Sequence, residues 1–311
     1  MRRVLVVASL LLCSAFGSRA LAGDMAKKKI IFLPGQQSHG WSGHAYTADC
    51  KLLARILNEN TPAVSAVVVE GGWPKDVRTL QDAAAIVVAC DGNSLIGGMA
   101  NWKALDAIAR KGTGIVFIHY ALDPGDLYGK YLLDWIGGHY EQYWSVNPFW
   151  LAQFKALPEH PITRGVKPFA VTDEWYYHMR FRDGMKGVTP ILTAVPPDDT
   201  RKGPDGPHSG NPTVRSRVGM PEHVAWAYER PDGGRGFGCT GGHTHWVYAQ
   251  NDFRKLLLNA ICWTAKVDVP VDGVSTPTPS VEQMEAHLEG ERPVDWTPDR
   301  TAATIERMNA E

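Results

Sequence analysis

Cysteine is scarce in this sequence, and its spacing is irregular. Only five of the 311 residues are cysteines, and no two of them form a C-x-x-C pair, so neither a zinc ribbon nor a disulfide framework is indicated. One of the five, Cys13, stands close to the amino terminus. The other four stand in apolar contexts typical of buried free thiols, and the sequence does not decide whether any of them pair: Cys50, Cys90, Cys239 and Cys262.

An excess of charge of either sign is also missing. The 32 basic and 33 acidic residues give a formal net charge of -1, and no block of like charges occurs in the chain. Nucleic-acid-binding proteins carry a basic patch or stripe, so we expect no nucleic acid among the partners. The hydrophobic content of 44% and the charged content of 21% are those of an ordinary soluble globular protein.

No apolar run is long enough to span a bilayer comfortably. The run at residues 4–16 is too short for a membrane helix, and it follows Arg2 and Arg3. A small-x-small pattern at residues 20–22 completes the features of a secretory signal peptide. A buried first strand is the alternative, but a charged segment and a better strand follow directly. We therefore expect residues 1–22 to be a signal peptide, the protein to be exported to the periplasm or secreted, and no stable membrane span to remain after cleavage.

Short apolar runs alternate with amphipathic helical patterns in the first part of the chain. The runs predict strands at residues 30–33, 64–69, 84–89 and 115–118. Apolar stripes predict helices at residues 45–58 and 99–110. Apolar strands that alternate with helices are typical of a parallel sheet covered on both faces. The sequence therefore predicts an α/β fold.

The pattern changes after residue 138, where strand-like segments follow one another without long helices. They lie at residues 150–154, 169–171, 191–195, 224–228 and 236–240. We expect them to form an antiparallel extension or edge of the same sheet, and residues 196–218 to form a surface loop of the kind that can cover a site. A last helix is predicted at residues 252–266. The predicted organisation is one α/β domain at residues 28–267 and a polar, proline-rich tail at residues 268–311, with at most a short helix at residues 281–288.

Histidines and one aspartate fall where predicted strands end. After the first, third, fourth and last strands come His39 and His44, Asp91, His119, and His243 with His245. Ligands of an open parallel sheet bind beyond the carboxyl ends of its strands, so we expect a shared site at this edge. Imidazole suits either metal binding or proton transfer near neutral pH. The alternative is that the glycine-rich stretch at residues 233–246 holds ordinary structural histidines.

A second cluster of polar and aromatic residues surrounds Glu174. In an extended segment Glu174, Tyr176 and His178 share one face. A carboxylate beside aromatic rings tends to have a raised pKa, which suits a general acid or base, although a strand with a hydrogen-bonded carboxylate is an equally good interpretation. Residues proposed to contact a substrate are spread over the chain: Ser38, Asp91, Trp144, Asn147, Tyr176, Arg235 and Trp246.

Six short motifs occur together and in the order found in one known family. They are S-H-G at 38–40, I-H-Y at 118–120, L-D-W-I-G-G at 133–138, H-P-I at 160–162, D-E-W-Y at 173–176 and G-G-H-T-H-W at 241–246. Through them residues 28–267 resemble the trehalose-utilisation (ThuA-like) proteins. The resemblance implies a flavodoxin-like fold related to the class I glutamine amidotransferases. It also implies a role in sugar metabolism, where trehalose use is linked to glycosides oxidised at the 3-position.

The chain differs from the class I glutamine amidotransferases in the catalytic residues. Those enzymes place a cysteine on the sharp turn after a strand and complete a triad with a His-x-Glu motif from a later strand. In this chain the turn residue is His119, and the later motif is His243-Thr244-His245. Because no thiolate is available at the turn, we expect no glutaminase activity.

Two classes of function remain open at this point. The first is an enzyme that acts on a glycoside or 3-keto-sugar by hydrolysis, isomerisation or elimination, with four catalytic residues, namely His119, Glu174, His243 and His245. The second is a non-catalytic carbohydrate-binding protein on the same scaffold. Titratable residues favour the enzyme, because a binding module relies more on aromatic and amide side chains. In both cases the partner is a small sugar or an oxidised sugar, and the oligomeric state is not readable from the sequence.

We expect the histidines to meet in one pocket, where two mechanisms are possible. Either they hold a divalent metal ion such as zinc, or they relay protons without a metal. The metal is slightly favoured, because a cation keeps clustered imidazoles deprotonated. The candidate ligands are His39, His44, His119, His243 and His245.

Overall fold

The protein is described by a computed structural model that covers residues 26–310. The predicted signal peptide at residues 1–22, with Cys13, lies outside the described residues. The four later cysteines are buried free thiols. No helix in the described range is long and apolar enough to cross a membrane.

Strands and helices alternate in the first half of the described chain, and strands dominate the middle. The strands are β1 (Lys28–Pro34), β2 (Val64–Val68), β3 (Ala85–Ala89), β4 (Gly114–Ile118), β5 (Gly138–His139), β6 (Phe149–Phe154), β7 (Phe169–Glu174), β8 (Arg180–Phe181), β9 (Val188–Ala194), β10 (Glu222–Glu229) and β11 (Arg235–Cys239). The helices are α1 (Tyr46–Asn60), α2 (Met99–Ala109), α3 (Gly129–Trp135), α4 (Pro212–Arg215), α5 (Asn251–Thr264), α6 (Val281–Glu285) and α7 (Pro298–Met308).

Seven of the strands form one sheet, in the order β2-β1-β3-β4-β11-β10-β9. The pairs β1–β2, β1–β3, β3–β4 and β4–β11 are all parallel. With β11 counted as the fifth parallel strand, this is the 2-1-3-4-5 order of flavodoxin-like folds. The predicted fold class and the parallel pairing of the first four strands are therefore confirmed.

Neighbouring side chains of β1 enter two different cores. Ile30 and Phe32 pack in the cluster that contains the apolar faces of α1 and α5. Ile31 and Leu33 pack in the cluster that contains α2 and α3. Because successive side chains of a strand point to opposite faces, a run without polar residues requires helices on both sides of the sheet.

The second half of the chain only partly follows the predicted extension. β10 and β9 form the antiparallel edge, as expected. The segment around 236–240 is instead β11, which lies parallel to β4 inside the sheet. β6 and β7 leave the sheet and form a separate antiparallel hairpin. The residues of β6 alternate between exposed and buried, so this hairpin covers the core with one face and cannot be an interior strand.

The segment after residue 267 is packed against the α/β domain. Met284 of α6 and the two residues Ile305 and Met308 of α7 are buried in the cluster that contains α1 and α5. The ring of Trp296 stacks on Trp246 with 5.0 Å between centroids. Helix α7 has no counterpart among the elements predicted from the sequence, because its apolar stripe is short and lies in a polar, proline-rich context.

Candidate metal centre

Four side chains, three from separate loops and one from the end of β7, meet beyond the carboxyl ends of the parallel strands. Their ligand atoms all lie within 4.8 Å of one another, and the residues are His44, His119, Glu174 and His243. The Nε2 atom of His44 lies 3.1 Å from Nε2 of His119 and 3.1 Å from Nδ1 of His243. The Oε2 atom of Glu174 lies 2.8 Å from Nδ1 of His243. We call this group the four-residue cluster.

His119 is held at the sharp turn that directly follows β4. Its backbone φ is 55°, a left-handed conformation that is uncommon for a residue with a Cβ atom and that concentrates at functional sites. Its Nδ1 lies 2.7 Å from the carbonyl oxygen of Thr240. Because a carbonyl only accepts, Nδ1 carries the proton and Nε2 presents a lone pair to the cluster. The hydroxyl of Tyr176 lies 3.1 Å from that Nε2.

His44 is fixed in a similar way from the opposite side. Its Nδ1 lies 2.8 Å from Oδ1 of Asp91 and 2.9 Å from the hydroxyl of Ser38. Asp91, in the loop that follows β3, also accepts a hydrogen bond of 2.5 Å from the Tyr46 hydroxyl. The carboxylate therefore keeps the His44 proton on Nδ1 and leaves the Nε2 lone pair for the cluster.

The loop that carries His243 is organised by a buried carboxylate. Asp173 is fully buried and accepts backbone hydrogen bonds from Gly242 at 2.6 Å, His243 at 3.2 Å and Thr244 at 3.3 Å. Gly242 has a φ of 121°, and a Cβ atom there would lie 2.8 Å from the hydroxyl of Tyr248. Only glycine fits this close approach.

Glu174, the residue after Asp173, supplies the carboxylate of the four-residue cluster. Its Oε1 accepts a hydrogen bond of 3.1 Å from the side-chain amide of Asn147. The expectation of a raised pKa is wrong for this residue. Burial alone would raise the pKa of Glu174, but hydrogen bonds and charge from His119 and His243 lower it to about 2. Glu174 is therefore a carboxylate ligand at neutral pH and is unsuited to act as a general acid there.

His44, which contacts Asp91, and His243, which contacts Glu174, have pKa values that are shifted in opposite directions. Burial, reinforced by the neighbouring imidazoles, lowers the pKa of His44 to about 4 in spite of Asp91. Burial would also lower the pKa of His243, but its hydrogen bond to Glu174 and the charge of that carboxylate outweigh it and raise the pKa. Without a cation, His44 is neutral at pH 7 and His243 holds its proton more tightly than a free histidine.

The donor set of the cluster fits a divalent cation. The Nε2 atoms of His44 and His119 face each other, yet each ring keeps its proton on Nδ1, so neither can donate to the other. A cation between them would satisfy both lone pairs. Three imidazole nitrogens and one carboxylate oxygen are ligands that zinc prefers, and the Asp91 carboxylate and the Thr240 carbonyl are typical of the groups that orient such ligands.

Asp91→Asn is expected to weaken binding of a divalent cation by about 10–100-fold, because the amide no longer stabilises the Nδ1 proton of His44. The measurement is the dissociation constant of the purified protein for zinc, obtained by competition with a chelating dye. Asp76→Asn is the matched control, since Asp76 is an exposed aspartate paired with Arg78. Equal affinities of Asp91→Asn and the wild-type protein would show that Asp91 does not orient a ligand.

Cation affinity is expected to fall as the pH is lowered through the raised pKa of His243. Below that pKa an imidazolium must lose its proton before the nitrogen can bind, so affinity falls by about tenfold per pH unit for this one proton. Protonation of His44 adds to the loss only near pH 4, where its own pKa lies. Calorimetric titration with zinc from pH 5 to 8, in buffers of different ionisation enthalpy, measures the protons released. An affinity that does not change over this range would contradict the assignment of His243 as a ligand.

His39 lies beside the four-residue cluster and is exposed. Its ring centroid is 4.0 Å from that of His44, and its Nδ1 lies 2.8 Å from the hydroxyl of Ser38. His39, His44 and Asp91 form a second group whose ligand atoms lie within 4.8 Å, but this group shares His44, whose Nδ1 is already engaged by Asp91. His39 and Ser38 therefore form one wall of the site.

Two residues predicted for the site lie elsewhere. His245 is fully buried, with Nδ1 2.5 Å from Asp49 and Nε2 2.7 Å from the carbonyl oxygen of Met284. Both of its ring nitrogens are therefore engaged in fixing α6 to α1, and the expectation that it faces the pocket is wrong. Arg235 is the first residue of β11, at the opposite end of the sheet from the cluster, and it donates to the carbonyl of Trp263 at 2.9 Å. It cannot contact a ligand at the cluster.

The two tryptophans that were predicted to contact a substrate also pack against other side chains, away from the cluster. Trp144 stacks on His178 at 4.3 Å and lies under the guanidinium of Arg180 at 3.7 Å. Trp246 packs between Trp41 and Trp296. The exposed aromatic ring next to the cluster is instead Phe149, whose centroid lies 4.9 Å from that of His243.

Three contributing residues were assigned no role by the sequence, namely Tyr46, Phe149 and Asp173. Asp173 stands in the D-E-W-Y motif, which is the signal that could have drawn attention to it. Phe149 and Tyr46 carry no such signal, because their contacts depend on how distant loops fold together.

Comparison with known proteins identifies relatives by sequence and by fold. A family model described as ThuA, trehalose utilisation, matches residues 32–264. A thua-like protein of Bacteroides uniformis is 17% identical, with a TM-score of 0.56 over 80% of this chain and 95% of its own. A thua-like protein of Parabacteroides merdae is also 17% identical, with a TM-score of 0.53 over 82% of this chain and 94% of its own. No curated protein matches the sequence.

Proposed function

This chain belongs to the trehalose-utilisation (ThuA) family, and from that premise we propose that it is an exported, divalent-metal-dependent enzyme acting on a glycoside or a 3-keto-sugar. The observation that carries the proposal is the convergence of three imidazoles and one carboxylate within 4.8 Å. The burial of His44 and His119 also supports the proposal. The apolar surroundings of such ligands keep bulk water away from the cation that they bind.

Each residue of the site has a separate task in this proposal. When bound, a divalent cation acts as a Lewis acid that polarises a sugar carbonyl or hydroxyl. His44 and His119 supply neutral nitrogens, and Glu174 supplies the negative charge that balances the cation. Phe149 offers an exposed apolar ring beside His243, suitable for packing against a sugar ring. His39 and Ser38 place polar groups on the other wall.

The alternative, a non-catalytic carbohydrate-binding protein, has less support in the contacts. Such a protein relies on several exposed aromatic platforms, yet Trp144 and Trp246 are held against other side chains and Phe149 is the exposed ring that the site offers. Titratable groups make up the centre of the site, with pKa values moved in opposite directions for His44 and His243. Clusters of perturbed titratable groups are more common in catalytic sites than in binding modules.

The experiment is a turnover assay with metal-loaded and metal-stripped protein. A panel of glycosides and 3-keto-glycosides is incubated with each preparation, and released or rearranged sugar is detected by mass spectrometry. The proposal expects turnover of at least one class, lost on stripping and restored by adding back zinc. Binding of a sugar without turnover, independent of metal, would instead establish the carbohydrate-binding alternative.

Export is tested on the mature protein. Arg2, Arg3 and the apolar run at residues 4–16 support cleavage near Ala22. Amino-terminal sequencing of the protein made in a bacterial host is expected to begin close to residue 23. A protein in the cell extract that still begins at Met1 would overturn this part of the proposal.

A further inference from the structure

The β6–β7 hairpin turns one face to solvent, and that face begins at the four-residue cluster. Side chains of β6 alternate between exposed and buried, with Phe149, Leu151 and Gln153 exposed. Phe149 pairs directly with Glu174 of β7, and residues that stand opposite each other in an antiparallel pair point to the same side of the sheet. The face that carries the Glu174 carboxylate therefore also carries Phe149, Leu151 and Gln153. We call it the hairpin face.

Two large apolar side chains occupy solvent positions on the hairpin face. The outward positions of an antiparallel sheet are normally polar, and Gln153 and Lys155, further from the cluster, follow that rule. Next to the cluster the same positions hold Phe149 and Leu151, and both side chains are exposed. The Phe149 ring centroid lies 4.9 Å from that of His243. Exposed apolar side chains grouped in this way mark surfaces that bind a ligand or another molecule.

The apolar surface continues from Leu151 into a cavity of about 470 Å³. The cavity lies between the hairpin and the end of β9, the edge strand of the seven-stranded sheet. Six of its nine lining residues are apolar, namely Leu151, Ala156, Ala194, Val195, Pro197 and Pro221. An apolar path therefore leads from His243 over Phe149 and Leu151 into this cavity.

The polar groups of the cavity are too few to hold a second sugar unit. The three polar lining residues are Gln153, Lys155 and Thr193, and the Thr193 hydroxyl is already 2.8 Å from Nδ1 of His223. No carboxylate of the described chain lines the cavity, whereas a buried sugar ring has several hydroxyl groups that need hydrogen-bond partners. Apolar walls instead favour an apolar group, because removal of its surface from water is favourable.

The spacing of the two exposed side chains sets a minimum length for such a group. Side chains two apart along a strand are separated by roughly 7 Å, a distance that two aromatic rings can cover. We propose that the glycoside accepted at the four-residue cluster carries an aromatic aglycone of two or more rings, which extends past Phe149, packs on Leu151 and enters the cavity beside Val195. This inference rests on the proposed function, because it names the class of glycoside that the same site takes.

The first test compares two glycosides that differ only at the far end of the aglycone. Ethyl β-glucoside and 2-(2-naphthyl)ethyl β-glucoside, each also prepared in the 3-keto form, are titrated into zinc-loaded protein by calorimetry. We expect the naphthylethyl compound to bind about 10–100-fold more tightly, since burial of a large apolar group contributes that much to affinity. Equal affinities would overturn the inference. Tighter binding of cellobiose than of the naphthylethyl compound would also overturn it, because the face would then hold a second sugar.

Leu151→Ser and Val195→Ser show whether the gain comes from the hairpin face and its cavity. Both side chains are exposed, so both variants are expected to keep the fold. Each is expected to lower the preference for the naphthylethyl over the ethyl compound by about three- to tenfold, because each removes only part of the apolar contact. Val271→Ser is the matched control, at an exposed valine that does not line the cavity. A preference that both cavity variants retain in full would contradict the inference.

A second copy of the chain is the other molecule that an exposed apolar face can bind. Light scattering gives the molar mass of the wild type and of Leu151→Ser in solution. The inference expects the same mass for both. A wild-type dimer that becomes a monomer in Leu151→Ser would show that the face is an interface between copies, and the inference would be wrong.

Failure of the inference and failure of the proposed function give different results. Methyl 1H–13C spectra of protein labelled at leucine and valine are recorded during titration with 2-(2-naphthyl)ethanol, without sugar or zinc. We expect the signals of Leu151 and Val195, identified by their loss in the two variants, to shift while those of Val271 do not. If they shift and no glycoside is converted, the aromatic site stands and the proposed function is wrong. If glycosides are converted and these signals do not move, the inference alone is wrong.

Discussion

His119→Ala is expected to remove the bound cation and lower kcat/KM about a thousandfold. Lewis-acid stabilisation of a developing charge contributes several kcal/mol, and about 1.4 kcal/mol corresponds to a factor of ten in rate. His119 is fully buried, and its Nε2 faces both His44 and Glu174. An exposed side chain therefore cannot reach this position and take the place of the His119 nitrogen as a ligand. Kinetics on the substrate found by the panel assay, together with metal analysis of the same preparation, measure both effects.

The control for His119→Ala is the same substitution at a histidine outside the site. His287→Ala removes an exposed imidazole at the end of α6 and should leave metal content and activity at the wild-type level. A His119→Ala protein that folds, retains its metal and keeps full activity would place the functional site elsewhere in the molecule.

Asp173→Ala is expected to lower the free energy of unfolding by about 3–5 kcal/mol. The substitution leaves the buried amides of Gly242 and His243 without their acceptor, and each unsatisfied buried group costs about 1–3 kcal/mol. The same change releases the loop that presents His243, so cation affinity should fall as well. Denaturant unfolding and zinc titration of the purified variant measure the two effects.

Asp183→Ala is the matched control for Asp173→Ala. Asp183 is exposed, and changes at such surface positions are usually within about 0.5 kcal/mol. If Asp173→Ala unfolds at the wild-type denaturant concentration and binds zinc normally, Asp173 does not organise the loop.

The edge of the sheet on which the site lies could be predicted from the sequence. The runs at residues 30–33, 84–89 and 115–118 are apolar at every position, so both of their faces must be buried. This requirement was enough to predict the parallel sheet around β1, β3 and β4. Residues directly after such strands share one edge. His119 follows β4 directly and Asp91 follows β3 after the single residue Cys90, so their neighbourhood could be predicted without knowledge of tertiary contacts.

The orientation of His245 could not be predicted by the same argument. Side chains two apart share a face only in extended chain, but β11 ends at Cys239, and a 3-10 turn begins at His245 itself. The turn rotates His245 towards Asp49 and α6, away from His243. Arg235 was misplaced for a simpler reason, since it is the first residue of β11 and therefore lies at the amino end of that strand.

The pKa of Glu174 depended on contacts between distant parts of the chain. Aromatic neighbours in sequence suggested an apolar environment and a raised pKa. In the structure the flanking groups are His119 and His243, which lie 55 and 69 residues away along the chain and stabilise the carboxylate. The contribution of Phe149 is of the same kind, because it requires the β6–β7 hairpin to fold over the sheet edge.

The measurement that tests the metal centre most directly is the stoichiometry of zinc binding. The wild type and His44→Ala are dialysed against zinc at pH 8, where metal binding competes less with protonation of His243, and metal is then measured in the protein and in the dialysate. We predict one bound ion per wild-type chain and none for folded His44→Ala. A wild-type protein with no more zinc than the dialysate would contradict the metal centre and leave the four residues as a hydrogen-bonded group.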